Sequence, residues 1–382
     1  MSRKFCILAA VLFFCVPACF SMEKIEIIDL EPYFIDRNST SLILELPPDY
    51  DDPVTVDTKV ITDVGGISVP DTEYAQTMIK KFLQQFMAFY GHRNLQNALE
   101  RGSEYRVYIR RKLKERNLPV ALEYLPVIES EYRTNAVSRS GAKGLWQFME
   151  NSMKPFLVKS VWLDERLDPW KSTDAALAKL EENYRTFGDW TLAIAAYNCG
   201  SGAMTRALAA AKEKNFWYLA EHKMLKAETI QYIPKFIAAC ELVEHKDFYS
   251  QELPVLQEDE EPTDFDYVTV KGAVSVAMLT SEMELDTSVF KELNPSLTKA
   301  VTPPQAEYVI RLPSGSAESC ELALEKIKKK SPVAGLRTHT IKQGDTLWSL
   351  SRKSGCSVED LCALNNRSKN AILKIGDVLV LP

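Results

Sequence analysis

The sequence predicts a mainly α protein, in which one large helical domain precedes small modules of mixed α and β structure. Its 382 residues exceed the usual length of one domain. Apolar side chains recur at three- and four-residue spacing through residues 71–250, which is typical of amphipathic helices. Nearer the C-terminus, a strand–helix–helix–strand pattern occurs twice. These observations indicate an all-helical domain followed by two βααβ modules.

Charge and composition restrict the classes of function. The chain is 46% hydrophobic and 26% charged, as in ordinary globular proteins. Lys and Arg number 46 against 52 Asp and Glu, a net charge of −6, so composition does not favour a nucleic-acid partner. Four dispersed histidines supply no histidine-based metal site, and eight scattered cysteines do not form a disulfide framework. We therefore expect a mildly acidic, multidomain globular protein.

The first 21 residues have the pattern of an export signal. Arg3 and Lys4 precede an apolar run of about a dozen residues, which is too short to span a bilayer comfortably. Residues 16–19 loosely resemble a lipoprotein cleavage box. Acylation of Cys19, with membrane association through the lipid, and simple cleavage therefore both stay open.

Shifts in composition divide the rest of the chain into segments. An acidic, proline-bearing arm precedes the helical domain, and an acidic linker without basic residues follows it. The two modules are joined by a connector that we expect to be a helical spacer. The predicted segments are the arm at 22–70, the helical domain at 71–250, the linker at 251–266, the modules at 267–313 and 338–382, and the connector at 314–337.

A carboxylate at the end of an apolar helix stripe is the first candidate catalytic group. Pro119 suits the first turn of a helix, on which Leu122, Leu125 and Glu129 fall on one face. Loss of hydration raises the pKa of such a carboxyl, as a glycosidic acid catalyst requires. On this local pattern alone, a helix cap or an ion pair with Arg133 is the simpler explanation of Glu129.

Three later segments strengthen the catalytic interpretation. The first is a glycine-bearing loop with Trp146 for sugar stacking and Gln147 for hydrogen bonding. The segments are residues 135–149, 195–202 and 228–234. Together with the Glu129 segment at residues 121–130, and in this order and spacing, they resemble the soluble-lytic-transglycosylase-like family of peptidoglycan-cleaving enzymes. The resemblance covers about residues 69–382 and implies a lysozyme-like fold for the helical domain.

The resemblance also implies roles for individual residues. It makes Glu129 the catalytic acid/base and Ser138 a residue that orients Glu129 through a hydrogen bond. The other positions that it carries over are expected to bind substrate: Gln147, Met149, Tyr197, Asn198 and Tyr232. Core packing or helix capping is the alternative interpretation of these side chains.

The implied reaction cleaves the β-1,4 bond between N-acetylmuramic acid and N-acetylglucosamine. Glu129 would protonate the bridging oxygen and then take the proton of the muramic acid 6-hydroxyl, giving a 1,6-anhydro end without metal or cofactor. Ordinary glycosidases use two carboxylates, and Glu131 is a poor second because residues i and i+2 point to different sides of a helix. A hydrolytic muramidase of lysozyme type and a catalytically silent peptidoglycan-binding scaffold stay open as alternatives.

Residues 338–382 resemble a LysM module, a βααβ domain that binds glycans containing N-acetylglucosamine. We expect glycan contact at Gly344, Asp345 and Thr346, where Asp345 or Thr346 caps the next helix. The copy at 267–313 lacks this turn and resembles a degenerate LysM. The expected partner is therefore the glycan strand of peptidoglycan, and the expected location is the bacterial periplasm or cell envelope.

Overall fold

The computed structural model describes residues 59–256, 263–304, 306–328, 336–365 and 367–381. The predicted export signal, Cys19, the arm as far as residue 58 and the centre of the acidic linker lie outside the described residues. Within the described part of the chain, no helix is long and apolar enough to cross a membrane.

The first domain is helical, as the periodicity predicts. Its helices are α1 (Glu73–Met87), α2 (Phe89–Arg116), α3 (Leu125–Ser130), α4 (Pro169–Phe187), α5 (Trp190–Cys199), α6 (Ser201–Ala210), α7 (Phe216–Glu221) and α8 (Ala227–Glu244). Thr72 caps α1 by accepting a hydrogen bond from the Ala75 amide, and Asp168 and Asp189 cap α4 and α5 in the same way. Helix α8 packs against α1, α3 and α5, so it runs through the centre of the domain.

The described end of the acidic arm belongs to this domain. Residues Asp63–Val64 (β1) and Ile67–Ser68 (β2) pair as a small antiparallel hairpin. Ile61, Val64 and Ile67 are buried in the same core as the helices. The structure thus differs from the boundary predicted at residue 70, because apolar side chains near the end of the arm pack onto the helical core.

Each C-terminal module has the predicted strand–helix–helix–strand order. The first comprises β3 (Phe265–Lys271), α9 (Val276–Glu282), α10 (Thr287–Leu293) and β4 (Glu307–Pro313). The second comprises β5 (Thr338–Thr340), α12 (Leu347–Ser354), α13 (Val358–Leu364) and β6 (Val378–Val380). The terminal strands pair antiparallel in both modules, with Val268 opposite Ile310 and His339 opposite Leu379. The predicted fold class is confirmed.

The connector is helical, but it is not a free spacer. Helix α11 (Ala317–Lys328) places Cys320, Ala323 and Ile327 in the core of the first module. These three positions are i, i+3 and i+7, which share one face of a helix. The first module therefore extends through α11 to residue 328.

Candidate active site

Glu129 lies on α3, a short helix held between two irregular segments. Residues Val120–Tyr124 form a 3-10 helix, so the predicted continuous helix is interrupted before Glu129. Pro126 accounts for the break, since it lacks an N–H and its ring clashes with the carbonyl four residues earlier. Leu122 and Leu125 are nevertheless fully buried, and Glu129 is half-buried at the end of this apolar segment.

The surroundings of Glu129 bring the pKa of its carboxyl close to neutral pH. Burial raises the pKa of Glu129 to about 7, and the nearby charge of Glu228 contributes in the same direction. The hydroxyl of Tyr232, on α8, donates a hydrogen bond to Oε1 of Glu129, and this bond together with Lys235 acts to lower the pKa. The carboxyl can therefore give up and regain a proton in the physiological range.

The end of α3 is fixed by contacts that the sequence did not indicate. Glu131 and Tyr132 have φ of +51° and +58°, in the left-handed region that non-glycine residues rarely adopt. The guanidinium of Arg101 donates two hydrogen bonds to the carbonyl oxygen of Glu131, at 3.1 and 2.9 Å. The Tyr132 ring packs against Gly102, where a Cβ would lie 2.6 Å from the ring. A glycine inside a helix is the signal that could have indicated this close packing.

Glu131 is not placed as a second catalytic carboxylate. Its carboxylate forms ion pairs with Arg133 at 2.6 Å and with Arg101 at 3.4 Å, and the residue is buried. Glu131 is the residue that ends α3, in a left-handed conformation, and its carboxylate is neutralised by these two arginines.

Helices α5 and α8 bring the predicted polar side chains to the same region. The Tyr197 hydroxyl donates to the Trp146 carbonyl at 2.8 Å, and both burial and the charge of Glu129 raise the pKa of Tyr197. The Asn198 side-chain oxygen accepts a hydrogen bond from Thr229 at 2.8 Å. Tyr232 completes the group through its bond to Glu129. Side chains from α3, α5 and α8 thus converge around one carboxyl.

The glycine-bearing loop is a closed turn that ends in Gln147 and Met149. Lys143 and Phe148 exchange backbone hydrogen bonds of 3.1 Å in both directions. The Gln147 amide nitrogen donates to the Gly144 carbonyl at 2.8 Å, and Gln147 has φ of +46°. Gln147 and Met149 are half-buried, so each retains an accessible surface.

Two expectations for this loop do not agree with the structure. Ser138 was expected to orient Glu129, but its hydroxyl accepts a hydrogen bond from the Ala142 amide and lies 3.1 Å from the Ser140 hydroxyl. It closes the loop instead of reaching the carboxyl. Trp146 was expected to stack on sugar, but it is fully buried and its indole N–H donates to Thr173 at 2.8 Å.

The predicted glycan-contact residues of the second module form one turn. Gly344 has φ of +88°, and the Asp345 carboxylate accepts from the Lys342 amide at 2.7 Å and lies 2.8 Å from His339. Thr346 caps α12 in a capping box with Ser349, so Thr346 is the capping residue of the two that the sequence left open.

Comparison with known proteins agrees with this architecture. Residues 106–220 match the Transglycosylase SLT domain, residues 264–329 match the LysM-like domain of lytic transglycosylase MltD, and residues 339–382 match the LysM domain. The match at 264–329 includes α11, in agreement with the packing of that helix into the first module.

Similar proteins were found along most of the chain. Membrane-bound lytic murein transglycosylase D of Escherichia coli (strain K12) is 26% identical over 337 residues, which cover 84% of this chain and 71% of that protein. The putative tributyltin chloride resistance protein of Alteromonas sp. (strain M-1) is 42% identical over 116 residues, covering 30% and 56% of the two chains. The probable endopeptidase p60 of Listeria welshimeri is 50% identical over 46 residues, covering 12% and 9%.

A solved structure of an inactive mutant of lytic transglycosylase Slt from Pseudomonas aeruginosa shows a partial likeness. The match covers 50% of this chain and 30% of that chain, with 21% identity and a TM-score of 0.34. The domain matches and the similarity to the Escherichia coli enzyme support the identification of this chain as a lytic transglycosylase with an SLT domain. Its two C-terminal LysM-type modules place it with the membrane-bound lytic murein transglycosylase D type.

Proposed function

We propose that this protein is a peptidoglycan lytic transglycosylase in which one carboxyl group, Glu129, acts first as acid and then as base. The single observation that carries the proposal is the half-buried Glu129, whose pKa is raised to about 7 while Tyr232 holds its Oε1. A group poised near neutral pH can both donate and accept a proton in one catalytic cycle.

The first step breaks the glycosidic bond. Protonated Glu129 donates its proton to the oxygen that joins C1 of N-acetylmuramic acid to C4 of N-acetylglucosamine. The C1–O bond breaks, and the departing N-acetylglucosamine keeps the proton as its 4-hydroxyl. The Tyr232 hydroxyl stabilises the carboxylate that remains, because a hydrogen bond to the charged form lowers its free energy.

The second step uses the substrate as nucleophile. Glu129, now a carboxylate, removes the proton of the muramic acid 6-hydroxyl, whose oxygen bonds to C1 and closes the 1,6-anhydro ring. No water is consumed, and Glu129 returns to its protonated form. The ion pairs of Glu131 with Arg101 and Arg133 fit a mechanism that needs a single catalytic carboxyl.

The remaining residues have supporting roles. Gln147 and Met149 on the loop, and Tyr197 and Asn198 on α5, form the two sides of the glycan subsite. Ser138 acts within the loop, since its hydroxyl closes the turn that precedes Gln147. None of these contacts requires a bound metal or cofactor.

The second module retains the enzyme on its substrate. Residues 337–382 carry seven basic and four acidic residues, a net charge of +3, which suits an anionic cell wall. Gly344, Asp345 and Thr346 provide the turn for glycan contact. Export through the signal at residues 1–21 would place the protein in the cell envelope. Cleavage immediately before Cys19, followed by acylation of that cysteine, would instead hold it on the membrane side of the wall.

Replacing Glu129 by Gln separates catalysis from binding. Glu129→Gln preserves size and removes the proton donor, so digestion of purified sacculi should fall by at least about 100-fold. Co-sedimentation with peptidoglycan should persist, because the C-terminal turn is unchanged. Glu115→Gln, at the exposed end of α2, is the matched control and should digest normally. Normal digestion by Glu129→Gln would show that another group is the acid.

A further inference from the structure

The first module is docked on the helical domain at one loop. The backbone amide of Asp164 donates to the Ser296 carbonyl at 2.8 Å, and the amide of Thr298 donates to the Trp162 carbonyl at 3.0 Å. The Thr298 hydroxyl also donates to the Val161 carbonyl at 2.6 Å. Backbone bonds in both directions give the two parts a fixed register at residues 161–164.

A buried cation strengthens the same junction. Arg311, on β4, lies with its guanidinium 4.1 Å from the centre of the Trp170 ring and pairs with Asp168 at 3.3 Å. Asp168 also caps α4, so Arg311 is attached to the start of a long helix of the first domain. Arg311 and Asp168 are both buried, where the loss of one partner would leave the other charge uncompensated.

The segment of the helical domain that contacts the first module, residues 161–166, also holds the glycine-bearing loop. Arg166 pairs with Asp164 through two contacts of 2.8 Å, and both residues are buried. The Arg166 guanidinium also donates to the carbonyls of Gly141 and Phe148, at 3.1 and 3.3 Å. Lys143 reaches Asp164 at 3.2 Å. Contacts therefore continue from the module to the loop that carries Gln147 and Met149.

Residues 164–166 and the glycine-bearing loop are packed so closely that neither can move alone. A Cβ at Gly144 would lie 1.7 Å from the carbonyl oxygen of Arg166. A shift of residues 164–166 would consequently move the backbone immediately before Gln147. Interiors packed this closely transmit displacement instead of absorbing it.

In the first module, the turn that corresponds to the glycan-binding turn is covered by residues 301–302 of the same module. Val274 and Ser275 stand where the second module has its exposed turn, and here both are buried. Ser275 pairs with Val301, and the Val274 amide donates to Thr302. In the second module, by contrast, Gly344 and Thr346 are exposed. The first module therefore does not present the surface through which a LysM turn would contact glycan.

We propose that the first module, residues 264–328, acts within the chain as a support that positions the substrate loop, with Asp164, Arg166 and Arg311 as positioning residues. This inference rests on the proposed function, because it concerns the subsite formed by Gln147 and Met149. Its consequence is specific: weakening the junction impairs binding of the glycan in the cleft, while proton transfer by Glu129, on α3, is preserved.

The experiment uses the full chain with Arg311→Met, which keeps an unbranched side chain and removes the guanidinium with its charge. We expect KM for solubilised glycan strands to rise about 3- to 10-fold, with kcat within about 2-fold of the wild type. Hydrogen exchange at the amides of Lys143, Gln147 and Phe148 should accelerate. Lys271→Met, at an exposed ion pair of the same module, is the control and should leave KM, kcat and the amide exchange rates unchanged.

Each result bears on the inference. If Arg311→Met does not fold, Thr298→Ala removes one side-chain contact at the same junction and should produce the same changes at smaller amplitude. Unchanged KM and unchanged loop exchange in a folded junction variant overturn the inference, as does a fall in kcat alone. Hydrogen exchange needs no substrate, so it tests the support even if the wild type yields no anhydro product, a result that would refute the proposed function instead.

Discussion

Two opposing influences act on Glu129: burial raises its pKa by disfavouring the charged form, and a hydrogen bond lowers it. Tyr232 offsets part of this effect by donating a hydrogen bond to the carboxylate. The opposition between burial and hydrogen bonding adjusts the pKa to the range where proton transfer is needed. Two measurable consequences follow at this residue.

The first consequence concerns the pH dependence of activity. Glu129 must be protonated for the first step, so the rate should decline as the pH rises through its pKa of about 7. Tyr232→Phe removes a bond that lowers this pKa, and the alkaline limb of the kcat profile should move to higher pH. We expect kcat at its optimum to fall about 10-fold from loss of the hydrogen bond. Tyr184→Phe, at an exposed tyrosine, is the control, and an unmoved limb in Tyr232→Phe would contradict the assignment.

The second consequence concerns stability. The folded-state pKa of Glu129, about 7, lies above the ordinary value of 4.5, so the folded protein binds its proton more tightly than the unfolded chain does. This contribution is fully present below pH 4.5 and is lost as the pH rises to about 7. The free energy of unfolding of Glu129→Gln minus that of the wild type should therefore be more positive at pH 8 than at pH 4, by up to about 3 kcal/mol. A mutational difference that is the same at both pH values, measured by urea unfolding, would contradict this.

At the scale of elements, the site depends on segments that are held from outside. Helix α3 is six residues long, too short to be stable alone. Arg101 fixes the residue that follows α3, and the 3-10 helix before α3 is fixed by the buried ion pair of Glu123 with Arg106, at 2.6 Å. The glycine-bearing loop is fixed in the same way by Arg166.

A pair of glycine variants tests how closely the loop is packed. Gly141 and Gly144 both have positive φ, +87° and +79°, so Ala strains the backbone at either position by about 1 kcal/mol. At Gly141 nothing lies within 4 Å of the added methyl, whereas at Gly144 the Arg166 carbonyl blocks it. Gly144→Ala should thus lower the free energy of unfolding by at least about 3 kcal/mol, and Gly141→Ala by much less. Equal losses in urea unfolding would contradict the packing.

The elements differ in how far sequence could predict them. Helices such as α1 and α4 were predictable because their buried residues recur at helical spacing after a clear N-cap. The burial of Trp146 was not, since Trp146 lies in a loop and its partner Thr173 is 27 residues away on α4. Nor was the Asp164–Arg166 pair, because two charged residues in a loop ordinarily indicate a solvated surface.

On the scale of the whole molecule, two similar modules have different environments. The order of domains and the βααβ repeats were predictable from composition and from periodicity. The docking of the first module was not, because Arg311 and Asp168 are 143 residues apart and no local pattern indicates that they pair. The second module keeps an exposed turn and an exposed Trp348, at 66% of its maximal accessible surface, whereas Leu347 and Leu350 are buried.

The mass spectrum of the reaction products tests the central claim most directly. The claim is that Glu129 serves as the only catalytic carboxyl and that the muramic acid 6-hydroxyl replaces water as nucleophile. Purified sacculi digested by the full-length protein should release muropeptides whose muramic acid ends are lighter by one water than free reducing ends. Products with hydrated reducing ends would show that water is the nucleophile, and would contradict the account.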